Sequence, residues 1–274
     1  MSYLVYSITL FKNSLGLVPP ARFERAASGL GIRRSVQLSY GGKGADAIYA
    51  RIRGMINRKR FSVLTEGDDT VCSLPMSTRT VQMDRKTTET TISGAFTLDG
   101  AGRYEIETGI PFFNHMLELM TKHALFDCTL QADGDLAVDY HHTVEDVGIV
   151  LGKALSDALG DRTGIARYGY SLLPMDDAMA QVAVDLGGRP YLVYKIANRK
   201  RKIRDFDLGL IEHFFRSFCD QARMNLHIVQ PYGDDVHHAY EAVFKGVARA
   251  LYMACSLDAR VKGVPSSKGS LLNQ

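Results

Sequence analysis

The chain has 274 residues, enough for one large domain or two small ones that each bury a core. It is 46% hydrophobic and 23% charged, with a formal net charge of +3, too small a positive balance to mark a nucleic-acid binder. No apolar run approaches the ~18 residues of a membrane-spanning helix.

The net figure hides an asymmetry. Residues 1–75 carry 11 Lys/Arg against 5 Asp/Glu, a net of +6, and the remaining 199 carry 22 against 25, a net of −3. This basic extension, typified by VPPARFERAASGLGIRRSVQLSYGG (18–42), has no sustained helical or alternating period and is rich in Gly, Ser and Arg. Its acid-poor composition is compatible with a transit peptide and plastid targeting. The simpler expectation is disorder, or a reading frame extended upstream of a true start at Met76 or Met83. Cys72, Cys128, Cys219 and Cys255 lie far apart and form no C-x-x-C pair. Reduced thiols in a cytoplasmic protein are expected, and a thiolate metal site is not.

From Thr87 the pattern becomes regular. TTISGAFTLDG alternates and ends at Asp-Gly, predicting a strand and a turn, with RYEIET as the return strand. Residues 109–124 carry apolar positions at helical spacing. FDCTLQADGDLAVDYHH reads as a hairpin turning at Asp133-Gly134, and 142–159 as an amphipathic helix stopped by Gly160. The order then recurs. AMAQVAVDLGGRPYLVYKI is strand, Gly-Gly turn, strand; 209–222 is a helix; MNLHIVQPYGDDVHH is a strand and turn; HAYEAVFKGVARALYMAC is a closing helix.

HHTVEDVGIVLGKAL aligns without a gap on HHAYEAVFKGVARAL, with the two histidines, the glutamate and the closing Ala-Leu in register. Upstream, the helix of His115 matches that of His213, at intervals of 26 and 24 residues from the first histidine of each pair. The repetition predicts two α+β half-domains, 76–170 and 171–274, each with helices on one face of an antiparallel sheet.

All eight histidines follow residue 114, and four form the pairs His141-His142 and His237-His238. Residues four apart on a helix share a face, because each residue turns the chain by ~100°. His141 with Glu145, and His237 with Glu241, can therefore each chelate one ion, while His142 and His238 point elsewhere. Pairing the duplicates gives one centre of His141, Glu145, His237 and Glu241. The other takes His142 and His238, completed by His115 and His213. An imidazole–carboxylate set suits Mn, Fe, Co, Ni or Zn, and spacing does not choose among them. His123 lies eight residues after His115 on the same face and reaches the site without binding metal. His227, unduplicated on an alternating strand, reads as structural.

The segments TTETTI, TGIPFFNHML, GDLAVDYHHTVEDVGIVLG, GIARYG, PMDDA, DLGGRPY, EHFF, HHAYEAVFKGVARAL and VPSSKG resemble the imidazoleglycerol-phosphate dehydratase family, hydro-lyases of histidine biosynthesis. The resemblance runs from about Arg79 to Leu272. It implies a tandem pair of half-domains, each with a four-stranded sheet and two helices, like the second domain of ribosomal protein S5. It also implies a homo-24-mer with metal centres at subunit boundaries, two manganese ions per subunit, a small phosphate substrate, and neither nucleic acid nor membrane as partner. The metal ligands carry over to the same eight residues in the same partition. Substrate contacts carry over to Glu89, His115, His123, His141, Glu145, Arg167, Arg189, His237, Lys245 and the tail residues Ser267, Lys268 and Gly269. Glu89, Glu241 and His123 are the catalytic candidates, with Glu89 or Glu241 handling the C2 proton.

Two positions depart from the family pattern. Asn114 stands where Asp is usual and Asp235 where Asn is usual, and each is expected to tune a hydrogen bond to a neighbouring ligand. Two competing readings remain: a dinuclear hydrolase, and metals that only staple an oligomer.

Overall fold

The computed structural model describes residues 79–197 and 200–271, plus an isolated parallel pairing of Val36–Gln37 with Val63–Leu64. The rest of the N-terminal extension, including Cys72 and the alternative start Met76, lies outside the described residues. Residues from Ser77 onward form one compact unit.

Its first half runs β1 (Thr80–Lys86), β2 (Thr90–Thr97), β3 (Tyr104–Glu107), α1 (Pro111–Ala124), β4 (Asp127–Gly134) and α2 (His141–Leu159). The second runs β5 (Tyr168–Met175), β6 (Ala178–Asp185), β7 (Tyr191–Ile196), a small hairpin β8 (Lys202–Ile203) and β9 (Phe206–Asp207), α3 (Leu210–Ala222), β10 (Asn225–Tyr232) and α4 (Val236–Cys255). Two four-stranded sheets result, ordered β1-β2-β4-β3 and β5-β6-β10-β7, so both halves share one topology. The α+β expectation therefore stands, with two helices beside each sheet.

Several local expectations need correction. Neither RYEIET nor PYLVYKI is a return strand: β3 pairs parallel with β4, and β7 parallel with β10. Each sheet is therefore mixed, not antiparallel. A strand that feeds a helix and then a neighbouring strand makes a β-α-β crossover, which demands parallel pairing. A local interaction steers the first crossover. The Asp127 carboxylate accepts from the backbone N–H groups of Ala101 and Arg103 at 2.8 and 2.9 Å and from the Arg103 guanidinium. That brings the start of β3 alongside the start of β4, and Tyr104 pairs with Cys128. Asp133-Gly134 is the end of β4 and not a hairpin turn, while β1, β5 and the β8–β9 hairpin add to the expected strands.

The halves meet helix face to helix face, and the pairing crosses over. α2 lies on β1 and β2 and packs against α3 of the other half; α4 lies on β5 and β6 and packs against α1. Gly148 and Gly152 permit the α2–α3 approach: a Cβ at Gly152 would stand 2.4 Å from the Phe218 carbonyl oxygen. Phe113, Phe214, Phe215 and Phe244 are fully buried in this interface. Arg162, also fully buried, donates to the carbonyls of Leu186, Ala222 and Arg223, tying the link between the halves to the end of α3. Among the described residues no helix is long and apolar enough to cross a membrane.

Candidate functional site

The crossed helix pairing decides which ligand types meet. His115 rides on α1, which packs against α4, and so reaches the first turn of that helix. His115 Nε2 lies 2.9 Å from Glu241 Oε1, and His237 Nε2 lies 3.0 Å from the same oxygen. The donor atoms of His115, His237 and Glu241 all fall within 4.8 Å of one another. Two imidazoles and a carboxylate converging on one point fit a divalent transition metal.

The pseudo-equivalent cluster forms on α2 and α3. His141 stacks edge-on with His213 at 4.9 Å between ring centroids, and Glu145 Oε2 lies 3.6 Å from His141 Nε2. The protomer thus groups the donors differently from the expected partition. His115 joins His237/Glu241, and His213 lies against His141, in place of joining His142 and His238. Helix geometry sets the middle histidines apart from their neighbours; it does not contain the crossing of α1 onto α4.

The middle histidines face carboxylates of their own half. His142 Nδ1 lies 2.9 Å from Asp135 Oδ2 and 3.8 Å from Glu89 Oε2. His238 Nδ1 lies 2.7 Å from Asp177 Oδ1, with Asp176 at 3.7 Å from its Nε2. The hydrogen bonds to Asp135 and Asp177 are the main cause raising each imidazole's pKa. Such bonds also set the tautomer and leave Nε2 for a ligand. Nothing in the sequence signalled Asp135 or Asp177, because both come from turns brought in by the sheet.

The two clusters differ in electrostatics. Glu241 is buried, which alone would raise its pKa, but Lys245, His115 and His237 hold the carboxyl down at about 2. Lys245 Nζ donates to Glu241 Oε2 one turn along α4. His123, also on α1, faces the same strip of α4, and burial with Lys245 and Arg249 lowers its pKa, favouring the neutral ring. By the repeat alignment, Ile149 stands where Lys245 does, and the Glu145 side chain is 43% exposed.

The other expected substrate contacts sit apart from this cluster. Arg167 grips Asp185 with Nε and Nη2 at 2.7 and 3.1 Å and donates Nη1 to the Pro265 carbonyl at 2.8 Å, tethering the tail that carries the exposed Ser267, Lys268 and Gly269. Arg189 lies in the turn after β6, where Asn225 Nδ2 donates to its carbonyl at 2.6 Å. His227 is exposed on β10 near Tyr191.

Neither departure bonds to a ligand ring. Asn114 Oδ1 accepts from Thr108 N at 2.9 Å and its Nδ2 donates to Glu107 Oε1 at 3.2 Å, a bond an Asp could not make. Asp235 is the N-cap of α4, accepting from His237 N and His238 N at 2.7 and 3.3 Å. It acts on the backbone of the ligands, as N-caps do. Asp139 does the same for His141 N at 2.7 Å.

The profile of the imidazoleglycerol-phosphate dehydratase family matches residues 108–251. Proteins of that name from Bacillus licheniformis and Citrifermentans bemidjiense are each 51% identical over 193 residues, 70% of this chain and 100% and 99% of theirs. The chain belongs to this family. Crystal structures of members from Staphylococcus aureus and Pyrococcus furiosus superpose with a TM-score of 0.60 each, at 37% and 34% identity. They cover 65% and 69% of this chain and 99% and 100% of their own. Family membership and the crossed His–His–Glu clusters thus bear on the same helices.

Proposed function

We propose that the chain is a carbon–oxygen lyase that removes water from imidazoleglycerol phosphate to give imidazole-acetol phosphate in histidine biosynthesis. The observation that carries this reading, beside the family, is the convergence of His115, His237 and Glu241, with Lys245 and His123 behind them.

Two manganese ions per subunit fit the donor chemistry: His115, His237 and Glu241 would hold one, His141, His213 and Glu145 would supply the other, and His142 and His238, each with Nε2 left for a ligand, would complete such centres between copies. A bound ion of this kind supplies Lewis acidity toward the substrate's imidazole and hydroxyl. The chain's own residues do the rest. Glu241, held ionised by Lys245, offers its carboxylate as a ligand beside the two imidazoles. Glu89, exposed beside His142, is the proposed carrier of the C2 proton. Arg167, Arg189, Lys245, Ser267, Lys268 and Gly269 are the proposed phosphate contacts; guanidinium forks suit that group.

A homo-24-mer is in keeping with the outer face of the second sheet, where Tyr168, Tyr170, Leu172 and Tyr191 are 57%, 69%, 70% and 62% exposed. A cytoplasmic location agrees with the free, buried thiols of Cys128, Cys219 and Cys255, of which Cys128 and Cys255 are pushed up to about 12 by burial.

The test is a dehydration assay on imidazoleglycerol phosphate with the purified protein, chelated and then reloaded with Mn2+. Activity lost on chelation and regained with the metal is expected. Release of inorganic phosphate would indicate a hydrolase, and an inactive metal-loaded assembly would leave only a structural staple.

A further inference from the structure

The first half contains a polar triad, Asp146 and Thr90 buried and Arg85 half-buried, that the second half lacks. Asp146 follows Glu145 on α2 and is only 7% exposed. It accepts from Arg85 Nη2 of β1 at 2.8 Å and from Thr90 Oγ1 of β2. Thr90, 3% exposed, directly follows Glu89. The turn before it is closed on itself: Glu89 N and Thr90 N both donate to Thr87 Oγ1, at 3.1 and 2.9 Å. The Glu89 carbonyl accepts from Asp135 N at 3.1 Å, and Asp135 in turn holds His142. Asp146 is thus linked through one hydroxyl to the turn that carries Glu89.

Aligning the hairpins at their turns and the helices at their histidine pairs puts Leu173, Ala178 and Ala242 where Arg85, Thr90 and Asp146 stand. Ala178 and Ala242 are 1% and 0% exposed, and Leu173 packs against the core. The same topology is built there with apolar side chains alone. An ion pair between this buried carboxylate and a guanidinium side chain that is 34% exposed gives no general stability advantage over apolar packing of that kind. Arg85 Nε, moreover, is buried without a hydrogen-bond partner, an added cost. Stability therefore does not account for the triad.

The use of the two turns does. Asp177, in the place of Glu89, commits its carboxylate to clamping: it accepts from Asp234 N and Asp235 N at 2.7 and 2.8 Å and faces His238 Nδ1. In the first half the turn is held from beneath, and the Glu89 carboxylate stays exposed, 3.8 Å from His142 Nδ1. We infer that Asp146, acting through Thr90 and braced by Arg85, is a positioning residue that fixes the Glu89 turn beside His142 and leaves the Glu89 carboxylate for chemistry. This rests on the reading of Glu89 as the proton carrier.

The test uses the full-length, metal-loaded protein. One variant transplants the second half's side chains, Arg85→Leu, Thr90→Ala and Asp146→Ala together. A lighter pair is Thr90→Val, which removes only the hydroxyl, and Thr90→Ser, which restores it. The transplant should keep its metal content and unfolding temperature, leave KM within about twofold, and lose about 10–100-fold in kcat through misplacement of one group. Thr90→Val should lose kcat in the same direction and Thr90→Ser recover it; this pair decides the matter if the transplant does not fold. Combined with Glu89→Gln, the transplant should cost nothing further, since both act on one group. Normal kcat in the transplant, a loss that adds to that of Glu89→Gln, or one that merely tracks lost metal would overturn the inference alone. Normal kcat in Glu89→Gln itself would overturn the proton-carrier reading and the inference with it.

Discussion

At the scale of single residues, Glu241 is the point on which the site turns. Its carboxylate is shared by two imidazoles and a lysine, so neutralising it removes a candidate ligand and leaves Lys245 unpaired. Glu241→Gln should weaken manganese binding by more than the ~10–100-fold typical of losing an outer-sphere partner, measured as metal retained after dialysis. Glu145→Gln should weaken it less, because the Glu145 side chain is 43% exposed and 3.6 Å from its histidine. Equal losses in the two variants would show that the crossed clusters are equivalent in the assembled protein despite their difference in the protomer.

Asp127 offers a residue-scale test of the fold away from any metal. Burial alone would raise its carboxyl, but the Arg103 side chain and the backbone N–H groups of Arg103 and Ala101 bring it to about 2, below the ordinary 3.8. A depressed carboxyl stabilises the fold fully above its unfolded pKa, and that contribution fades as pH falls through the folded value. Between about pH 4 and 2, the unfolding temperature of the native chain should therefore fall more steeply than that of Asp127→Asn. Parallel acid limbs would mean that the β2–β3 loop is not held by this charge.

At the scale of elements, the four helices were legible because each carries an apolar stripe at helical spacing, and Pro111, Gly160 and Gly209 mark an end of three of them. Strand partners were not. Asp99-Gly100 looks like a hairpin turn in the sequence, yet β3 crosses to the far edge because α1 must connect it to β4. The candidate ligands were readable from the duplicated His-His-x-x-Glu, but their grouping depends on α1 lying on α4 and α2 on α3, a packing choice with no local code. Gly148 and Gly152 come nearest to one. They clear a path for the backbone of α3, and the alignment puts Phe244 and Ala248 at their places in α4. Gly152→Ala should gain about 1 kcal/mol in helix propensity. It should lose more to overpacking, because the new methyl meets the Phe218 backbone and not a yielding side chain. A net fall in unfolding temperature of several degrees is expected, and manganese binding at the His141–His213 cluster should weaken as α3 moves off α2. A stabilised Gly152→Ala protein would show that the helices can separate without cost.

At the scale of the whole molecule, the candidate site lies within the unit that begins at Ser77. The alignment with the Bacillus licheniformis relative spans 100% of that protein and 70% of this chain, and residues from Ser77 onward form a compact unit by themselves. The two candidate starts, Met76 and Met83, keep different parts of that unit. Arg79 donates to both oxygens of Asp99 at 2.8 and 3.0 Å and, through Nη1, to the carbonyl of Cys255 at the end of α4, joining the edge of the first sheet to the second half. Thr80, Val81 and Gln82 then pair with Thr97, Phe96 and Ala95. A chain begun at Met76 keeps all of this, and should match the full-length protein in unfolding temperature, metal content and dehydratase rate. A chain begun at Met83 loses the Arg79 bridge and the first three paired residues of β1, leaving the β2 edge partly uncovered while sparing the β1 segment that contains Arg85. It should unfold at a lower temperature and associate more readily through the bared edge. Thermal unfolding and sedimentation of the two truncated proteins would check this, and equal stability in both would remove Arg79 from the residues that join the halves.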